Sequence, residues 1–229
     1  MNVLVVAAHP DDEVLGCGGT IVRHTRSGDH VGVLILGTGA LSRNGVGNGA
    51  VETLRNQAEE AGAILGAREI RVLDLPDNRF DSVALLDIVK HVEAVVENLR
   101  PEVVYTHYSA DLNIDHRKTL QAVVTACRPQ PGHCVRRLLS FEVPSATEWQ
   151  AGADGGAAFG PNVFTDISDT IDLKLRALSV YGGELRDFPH PRSLRAVKAL
   201  AEWRGATAGF EAAEAFVLVR ELVKSRRLA

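Results

Sequence analysis

The feature that most constrains the fold is a short apolar run near the start of the chain that leads straight into a helix signal. Residues 2–7 read Asn-Val-Leu-Val-Val-Ala, a β-branched run without polar alternation. Such a run is typical of a strand that is buried on both faces, as in parallel sheets. Pro10 then suits the first position of a helix, and the acids at 11–13 suit the positive end of the helix dipole. The sequence therefore predicts a strand followed at once by a helix.

The same alternation of strand and helix patterns continues along most of the chain. We predict strands near 2–8, 31–36, 69–74, 102–107 and 136–142, and helices near 12–27, 50–65, 83–99 and 116–127. Two further helices, near 169–180 and 193–207, and an apolar run at 216–219 complete the layout. Gly28, Gly66 and Pro101 mark helix ends. This order predicts an α/β fold of Rossmann-like type, with a doubly wound, mostly parallel sheet and helices on both faces.

Length and composition limit the classes of protein that fit. The chain has 229 residues, of which 45% are hydrophobic, so we expect a single domain over 1–229 with loop insertions near 37–49 and 144–162. A net charge of −4, from 25 basic and 29 acidic residues, gives no basic field that would indicate a nucleic-acid partner. The sequence shows no signal peptide and no apolar run near the roughly 20 residues of a membrane span. We therefore expect a cytoplasmic protein that does not contact a membrane.

Polar side chains that bind metals well follow two of the predicted strands. His9 and two adjacent aspartates follow the first strand, and His116 lies in the polar loop after 102–107. In an open parallel sheet, the carboxyl-end loops of such strands meet at one crevice. Two His and one Asp hold a divalent metal with a position left for water, as in catalytic zinc sites. The alternative is structural, with the acids at 11–13 capping a helix and His116 held by a hydrogen bond to Asp115.

In these segments the chain resembles the LmbE-like family of N-deacetylases, also called the PIG-L or GlcNAc-phosphatidylinositol de-N-acetylase family. The segment at 8–20 matches the signature of that family closely. Support continues at Arg55, 65–66, 73–77 and 115–117, so that the resemblance covers most of the chain. The first segment is the most specific part of the match.

The resemblance implies roles for the site residues. His9, Asp12 and His116 would bind Zn2+, or another divalent metal in its place, and Asp11 would be the general base. Members of the family hydrolyse the acetamide of an N-acetylated amino sugar and release acetate and a free amine. We therefore expect a zinc cofactor and a small-molecule N-acetylated sugar substrate. Relatives commonly assemble, so a monomer and a homo-oligomer both stay open.

One position departs from the family pattern. Many members carry a second His three residues before the last ligand, where this chain has Asn113. An Asn can donate a hydrogen bond to an oxyanion but cannot carry a proton. The acid role must then fall to Asp11, after it has taken the proton of the water, or to another His. His107 and His190 are the candidates.

Other features indicate substrate contacts. A Gly-rich stretch at 37–49 follows the second strand and opens on the same crevice, with Arg43 as an anion contact. Arg55, Asp77 and Arg192 are the other predicted contacts. Cations would suit the phosphates of a nucleotide sugar, and carboxylates would suit an aminoglycoside-like sugar. The sequence does not choose between these substrates or a polysaccharide precursor.

A second Gly-rich stretch, at 152–161, follows Trp149. Its small residues predict a surface loop. The indole of Trp149 either stacks on a sugar ring at the edge of this loop or packs in the core.

Three rival functions share parts of these patterns. A related amidase that acts on a thiol-sugar conjugate would keep every metal ligand and differ only in its loops. A non-haem iron oxygenase also uses two His and a carboxylate, but it has no evident need for Asp11 beside the ligand. The glycines at 16–19 are compatible with a non-catalytic nucleotide-binding module, although their spacing fails the G-x-G-x-x-G fingerprint.

Overall fold

The computed structural model describes residues 1–39, 48–150 and 158–223. Within these ranges the strands are β1 (Asn2–Ala7), β2 (His30–Gly37), β3 (Glu69–Leu75), β4 (Val103–His107), β5 (Arg137–Phe141), β6 (Val163–Asp166) and β7 (Ala213–Glu221). The helices are α1 (Asp12–Arg26), α2 (Asn48–Leu65), α3 (Leu85–Leu99), α4 (Ile114–Ala126), α5 (Ile171–Val180) and α6 (Leu194–Ala208). None of the helices described here combines the length with the apolar content that crossing a bilayer requires.

All of these strands belong to one sheet, in the order β3-β2-β1-β4-β5-β7-β6. β1 runs parallel to β2 on one side and to β4 on the other, so that Val5 lies opposite both Val33 and Tyr105. β3 and β5 extend the parallel part of the sheet. The α/β fold with a doubly wound, mostly parallel sheet is thus confirmed. Because the strand order reverses at β1, a crevice forms at the carboxyl ends of β1 and β4.

The far edge of the sheet differs from the expectation. β7 runs antiparallel to β5, and β6 pairs antiparallel with β7. The sequence indicated only an apolar run at 216–219 for β7 and no strand at all for β6. All four residues of β6 are partly buried, so its burial does not alternate between an inner and an outer face.

The side chains of β1 anchor both layers of helices. Val3, Val5 and Ala7 pack on one face with residues of α1, α2 and α5. Leu4 and Val6 pack on the other face with residues of α3 and α4. All of them are fully excluded from solvent. Burial of one Val or Leu side chain contributes about 1.5–3 kcal/mol, so β1 is a rigid base for the residues that follow it.

Helix α1 bends at Cys17, where φ is −151° and ψ is 26°. Beyond the bend, the N–H groups of Gly19 and Thr20 donate to the Glu214 carboxylate at 2.9 and 2.7 Å. Lys174 Nζ lies 2.6 Å from the same carboxylate, and both side chains are buried. An ion pair between α5 and β7 thus caps the second half of α1.

Glycines let α1 pack closely on its neighbours. A Cβ atom on Gly16 would lie 2.3 Å from the ring of Phe141, and one on Gly19 would lie 2.8 Å from Ile167. Close packing therefore accounts for these glycines without a nucleotide. Gly28 and Gly66 have φ values of +82° and +78°, which confirms that they end α1 and α2.

Candidate active site

The loop after β1 is a strained turn that carries two carboxylates. Asp11 has a φ of +100°, which is rare for a residue with a side chain. Its N–H donates to Glu13 Oε2 at 3.1 Å, and its C=O accepts the N–H of Leu15 at 2.8 Å. The carboxylate of Asp12 accepts the N–H of His9 at 2.9 Å. These bonds stabilise a backbone conformation that costs about 1–3 kcal/mol by itself.

His9, Asp12 and His116 lie together at the carboxyl ends of β1 and β4, as the convergence of the two loops predicted. One ligand atom from each lies within 4.8 Å of the others. Asp12 Oδ2 is 3.3 Å from His116 Nε2 and 3.5 Å from His9 Nδ1. Asp12 Oδ1 is buried and has no hydrogen-bond partner in the described parts of the chain. A buried carboxylate oxygen without a partner there, next to two imidazole nitrogens, fits a divalent metal ion.

Carboxylates orient the imidazole of His9. Asp115 Oδ2 lies 3.0 Å and Asp77 Oδ1 3.3 Å from His9 Nε2. Asp115 is itself fixed by two backbone N–H groups of the segment after β3, at 2.6 and 2.9 Å. A carboxylate on the far nitrogen is typical of a His that binds metal through the near one. His9, Asp77 and Asp115 also form a second group close enough to hold a cation.

Asp111 orients the other imidazole. Its Oδ1 lies 3.1 Å from His116 Nδ1, and its Oδ2 accepts the hydroxyl of Thr147 at 2.7 Å. The alternative in which Asp115 holds His116 is therefore wrong, because helical neighbours point about 100° apart and Asp115 faces His9 instead. Burial lowers the pKa of His116, but Asp12 and Asp111 outweigh burial and raise it to about 9.

His107, a candidate for the acid, lies beneath His116. The two rings stack with centroids 3.9 Å apart, and His107 is fully buried. Its Nε2 accepts the N–H of Ala8 at 2.8 Å. Burial and the neighbouring His116 lower the pKa of His107 to about 3, so its ring is neutral. Its contacts support the ring of His116.

A cavity of about 100 Å3 opens above these residues. Among the described residues it is lined by His9, Pro10, Asp11, Thr38, Gly39, Leu54, Asp77, Asn78, Asn113, Glu184 and Arg192. The structure thus brings four predicted site residues to one cavity: the candidate base Asp11, Asn113 and the substrate contacts Asp77 and Arg192. Sequence reasoning missed Asn78 and Glu184. Asn78 follows the end of β3, a position that the strand-end argument could have found, whereas Glu184 lies in a loop without any motif.

Arg192 holds the carboxylate of Asp11. Arg192 Nη1 lies 3.1 Å from Asp11 Oδ2, and its Nε donates to Ser145 Oγ at 2.7 Å. Glu184 Oε2 is 4.0 Å from the same guanidinium. Burial raises the pKa of Asp11 well above its ordinary value, although Arg192 opposes this shift. A carboxylate with a raised proton affinity is suited to accept a proton near neutral pH.

Asn113 caps α4 and reaches the cavity. Its Oδ1 accepts the N–H of Asp115 at 2.8 Å, and its Nδ2 donates to Asn78 Oδ1 at 3.3 Å. A side-chain amide has two N–H groups, and this contact uses one of them. The other N–H can donate to a ligand.

Two predicted residues lie elsewhere, and a third falls outside the described part of the chain. Arg55 donates to the C=O of Val72 at 2.8 Å and pairs with Asp74, so it braces α2 on β3 and is not among the described residues of the cavity wall. His190 is half-buried and contacts Trp149, outside the set of described cavity residues. Arg43 lies outside the residues that the structure describes.

Comparisons with known proteins agree on the family. A family model described as PIG-L, GlcNAc-PI de-N-acetylase, matches residues 4–127. The uncharacterized deacetylase YaiS of Escherichia coli strain K12 is 30% identical over 183 residues, which cover 77% of this chain and 88% of the relative. Diacetylchitobiose deacetylase of Thermococcus kodakarensis is 28% identical over 188 residues, which cover 79% of this chain and 68% of the relative.

A solved structure extends the likeness over the whole fold. GalB, the 4-carboxy-2-hydroxymuconate hydratase of Pseudomonas putida KT2440, superposes with a TM-score of 0.80 over 98% of both chains. At 23% identity this likeness shows the fold alone. The family match, in contrast, spans more than half of the chain and includes His9, Asp12 and His116. The chain therefore belongs to the PIG-L, or GlcNAc-PI de-N-acetylase, family.

Proposed function

We propose that this chain is a zinc-dependent N-deacetylase that removes the acetyl group from an N-acetylated amino sugar or sugar conjugate. The observation that carries the proposal is the cluster of two imidazoles and the Asp12 carboxylate beneath a cavity, with one buried carboxylate oxygen unpaired among the described residues. The relative from Thermococcus kodakarensis, named a deacetylase of a diacetylated sugar, supports the reaction class.

In this proposal His9, Asp12 and His116 would hold the zinc ion. Zinc bound there would polarise the amide carbonyl and lower the pKa of a bound water to about 7. Asp115 and Asp111 keep the far nitrogens of the two imidazoles occupied, at 3.0 and 3.1 Å, so that the near nitrogens face Asp12. The protein thereby fixes the donor set before the ion binds.

The proton transfers fall to Asp11. Its carboxylate takes the proton of the attacking water and later gives it to the departing amine, so that water and amide become acetate and a free amine. Arg192, at 3.1 Å, keeps this carboxylate in place through both transfers. The second side-chain N–H of Asn113 donates to the oxyanion as the tetrahedral intermediate forms. His190, the other candidate for the acid, is not among the described residues of the cavity wall, so this proposal gives the acid role to Asp11.

Asp77 and Arg192 are the proposed substrate contacts that line the cavity. Arg43 and Arg55 stay predictions, the latter with its guanidinium engaged on β3. A nucleotide sugar, a polysaccharide precursor and an aminoglycoside-like sugar remain the candidate substrates. The amidase acting on a thiol-sugar conjugate is the alternative within the same family.

Metal analysis followed by a free-amine assay tests the proposal. The purified protein should contain about one zinc per chain and should release amine from at least one N-acetylated monosaccharide, disaccharide, nucleotide sugar or aminoglycoside. Asp11→Asn should abolish the release and keep the metal. A metal-loaded protein that releases neither amine nor acetate from any of these sugars would contradict the proposed function.

A further inference from the structure

An indole lies half exposed beside the candidate active site. Trp149 is 50% exposed, whereas Phe80 and Phe141, which contact the site imidazoles, are fully buried. The ring of Trp149 meets that of His190 edge to face, with centroids 5.8 Å apart and planes at 83°. This contact fixes the indole while it leaves half of its surface open to a ligand.

Hydrogen bonds link His190, and the residue before Trp149, to Arg192 in the cavity wall. His190 Nδ1 accepts the N–H of Arg192 at 3.1 Å, and Arg192 lines the cavity. From the other side, Arg192 Nε donates to Ser145 Oγ at 2.7 Å, and the N–H of Ser145 donates to Glu148 Oε1 at 2.6 Å. Trp149 follows Glu148 directly in the chain. Trp149 and His190 are therefore linked to Arg192, whose guanidinium pairs with the candidate base Asp11.

The size of the cavity determines what reaches the aromatic pair. About 100 Å3, lined mainly by polar side chains, suits an acetamido group and part of the ring that carries it. A second ring joined to the first would then extend beyond this volume. The C–H face of a sugar ring is apolar while its rim is polar, which matches an exposed indole held in place.

We propose that Trp149, buttressed by His190, is a stacking subsite for the second ring of a disaccharide or sugar conjugate. The inference rests on the proposed deacetylase function and adds that the substrate is larger than a monosaccharide. It assigns His190 to ligand positioning and not to proton transfer.

Kinetics on matched sugars test the subsite. Trp149→Ala should raise the KM for N,N'-diacetylchitobiose about tenfold, the loss expected for one aromatic contact, with kcat within about twofold. The KM for N-acetylglucosamine should stay unchanged. Trp203 on α6 is 64% exposed, so Trp203→Ala is a matched control that should alter neither value. An equal rise for both sugars, or no rise for the disaccharide, would overturn the proposal.

Variants of His190 separate positioning from acid catalysis. His190→Phe keeps an aromatic edge against the indole and should keep the KM for the disaccharide within about twofold, whereas His190→Ala should raise it. Neither change should lower kcat. A loss of kcat in both variants would show an acid role and contradict the assignment.

Fluorescence gives a readout that does not depend on turnover. The chain has two Trp residues, so Trp203→Phe leaves Trp149 as the sole indole. In a zinc-loaded Asp11→Asn, Trp203→Phe protein, N,N'-diacetylchitobiose should change the emission, and N-acetylglucosamine should not. A flat titration with an active wild type would refute the subsite and leave the deacetylase function standing. A clear titration with a wild type that cleaves no amide would support the subsite and refute the deacetylase function.

Discussion

Replacing Lys174 by Met tests whether the buried ion pair behind α1 stabilises the fold that presents the active-site turn. Lys174 Nζ lies 2.6 Å from Glu214 Oε1 and donates to the C=O of Leu15 at 2.8 Å, and the two side chains are 4% and 3% exposed. Removal of one partner of a buried pair costs about 3–5 kcal/mol, because the other charge stays buried. Two N–H bonds from α1 still hold Glu214, so we expect a loss near the lower end, about 3 kcal/mol.

Urea unfolding and thermal melting measure this loss. A domain of this size loses about 2–4 °C in Tm per kcal/mol, so the Tm should fall by about 6–12 °C. The ion pair between Lys198 and Glu202 is the control. Its Nζ–Oε1 distance is 3.8 Å, and the two side chains are 54% and 56% exposed. Lys198→Met should cost less than about 0.5 kcal/mol. A loss for Lys174→Met no larger than that of the control would refute the reasoning.

Three further predictions concern the site itself. Asp11→Asn should lower kcat at least 100-fold with zinc retained, whereas His116→Ala should lose the metal; equal metal loss in both, by elemental analysis, would contradict the assigned roles. Asn113→Ala should lower kcat about 100-fold, near 3 kcal/mol for one oxyanion donor, and an unchanged kcat would remove it from the mechanism. Burial raises the pKa of Asp11 and Arg192 opposes that shift, so Arg192→Gln should raise this pKa further. Since the base must be deprotonated, the acidic limb of the kcat/KM profile should move to higher pH, and an unmoved limb would argue against Asp11 as the base.

The parallel half of the fold could be predicted because its signals are local. β1 is marked by its own unalternated apolar residues, and Gly28 and Gly66 mark helix ends through positive φ values of +82° and +78°. β6 could not be predicted in this way, because its four residues become a strand only through pairing with β7, which follows two helices later in the chain. The antiparallel direction of β7 is likewise a property of its partners.

The candidate site likewise has features that the sequence predicts and features that depend on the folded structure. The meeting of His9 and His116 follows from strand order alone, since β1 and β4 are neighbours in the sheet. Which carboxylate serves which imidazole depends on where each side chain points: Asp115 faces His9 and Asp111 faces His116, so the structural alternative that paired Asp115 with His116 does not hold. Arg55 illustrates the same limit. The sequence predicted it as a substrate contact, but its guanidinium donates to the C=O of Val72 in β3.

Anomalous diffraction at the zinc edge, on crystals of the zinc-loaded protein, tests the central claim most directly. We expect one peak about 2.0–2.2 Å from His9 Nδ1, a carboxylate oxygen of Asp12 and His116 Nε2. A peak held by His9 Nε2, Asp77 and Asp115 instead, or no peak at either cluster, would contradict it.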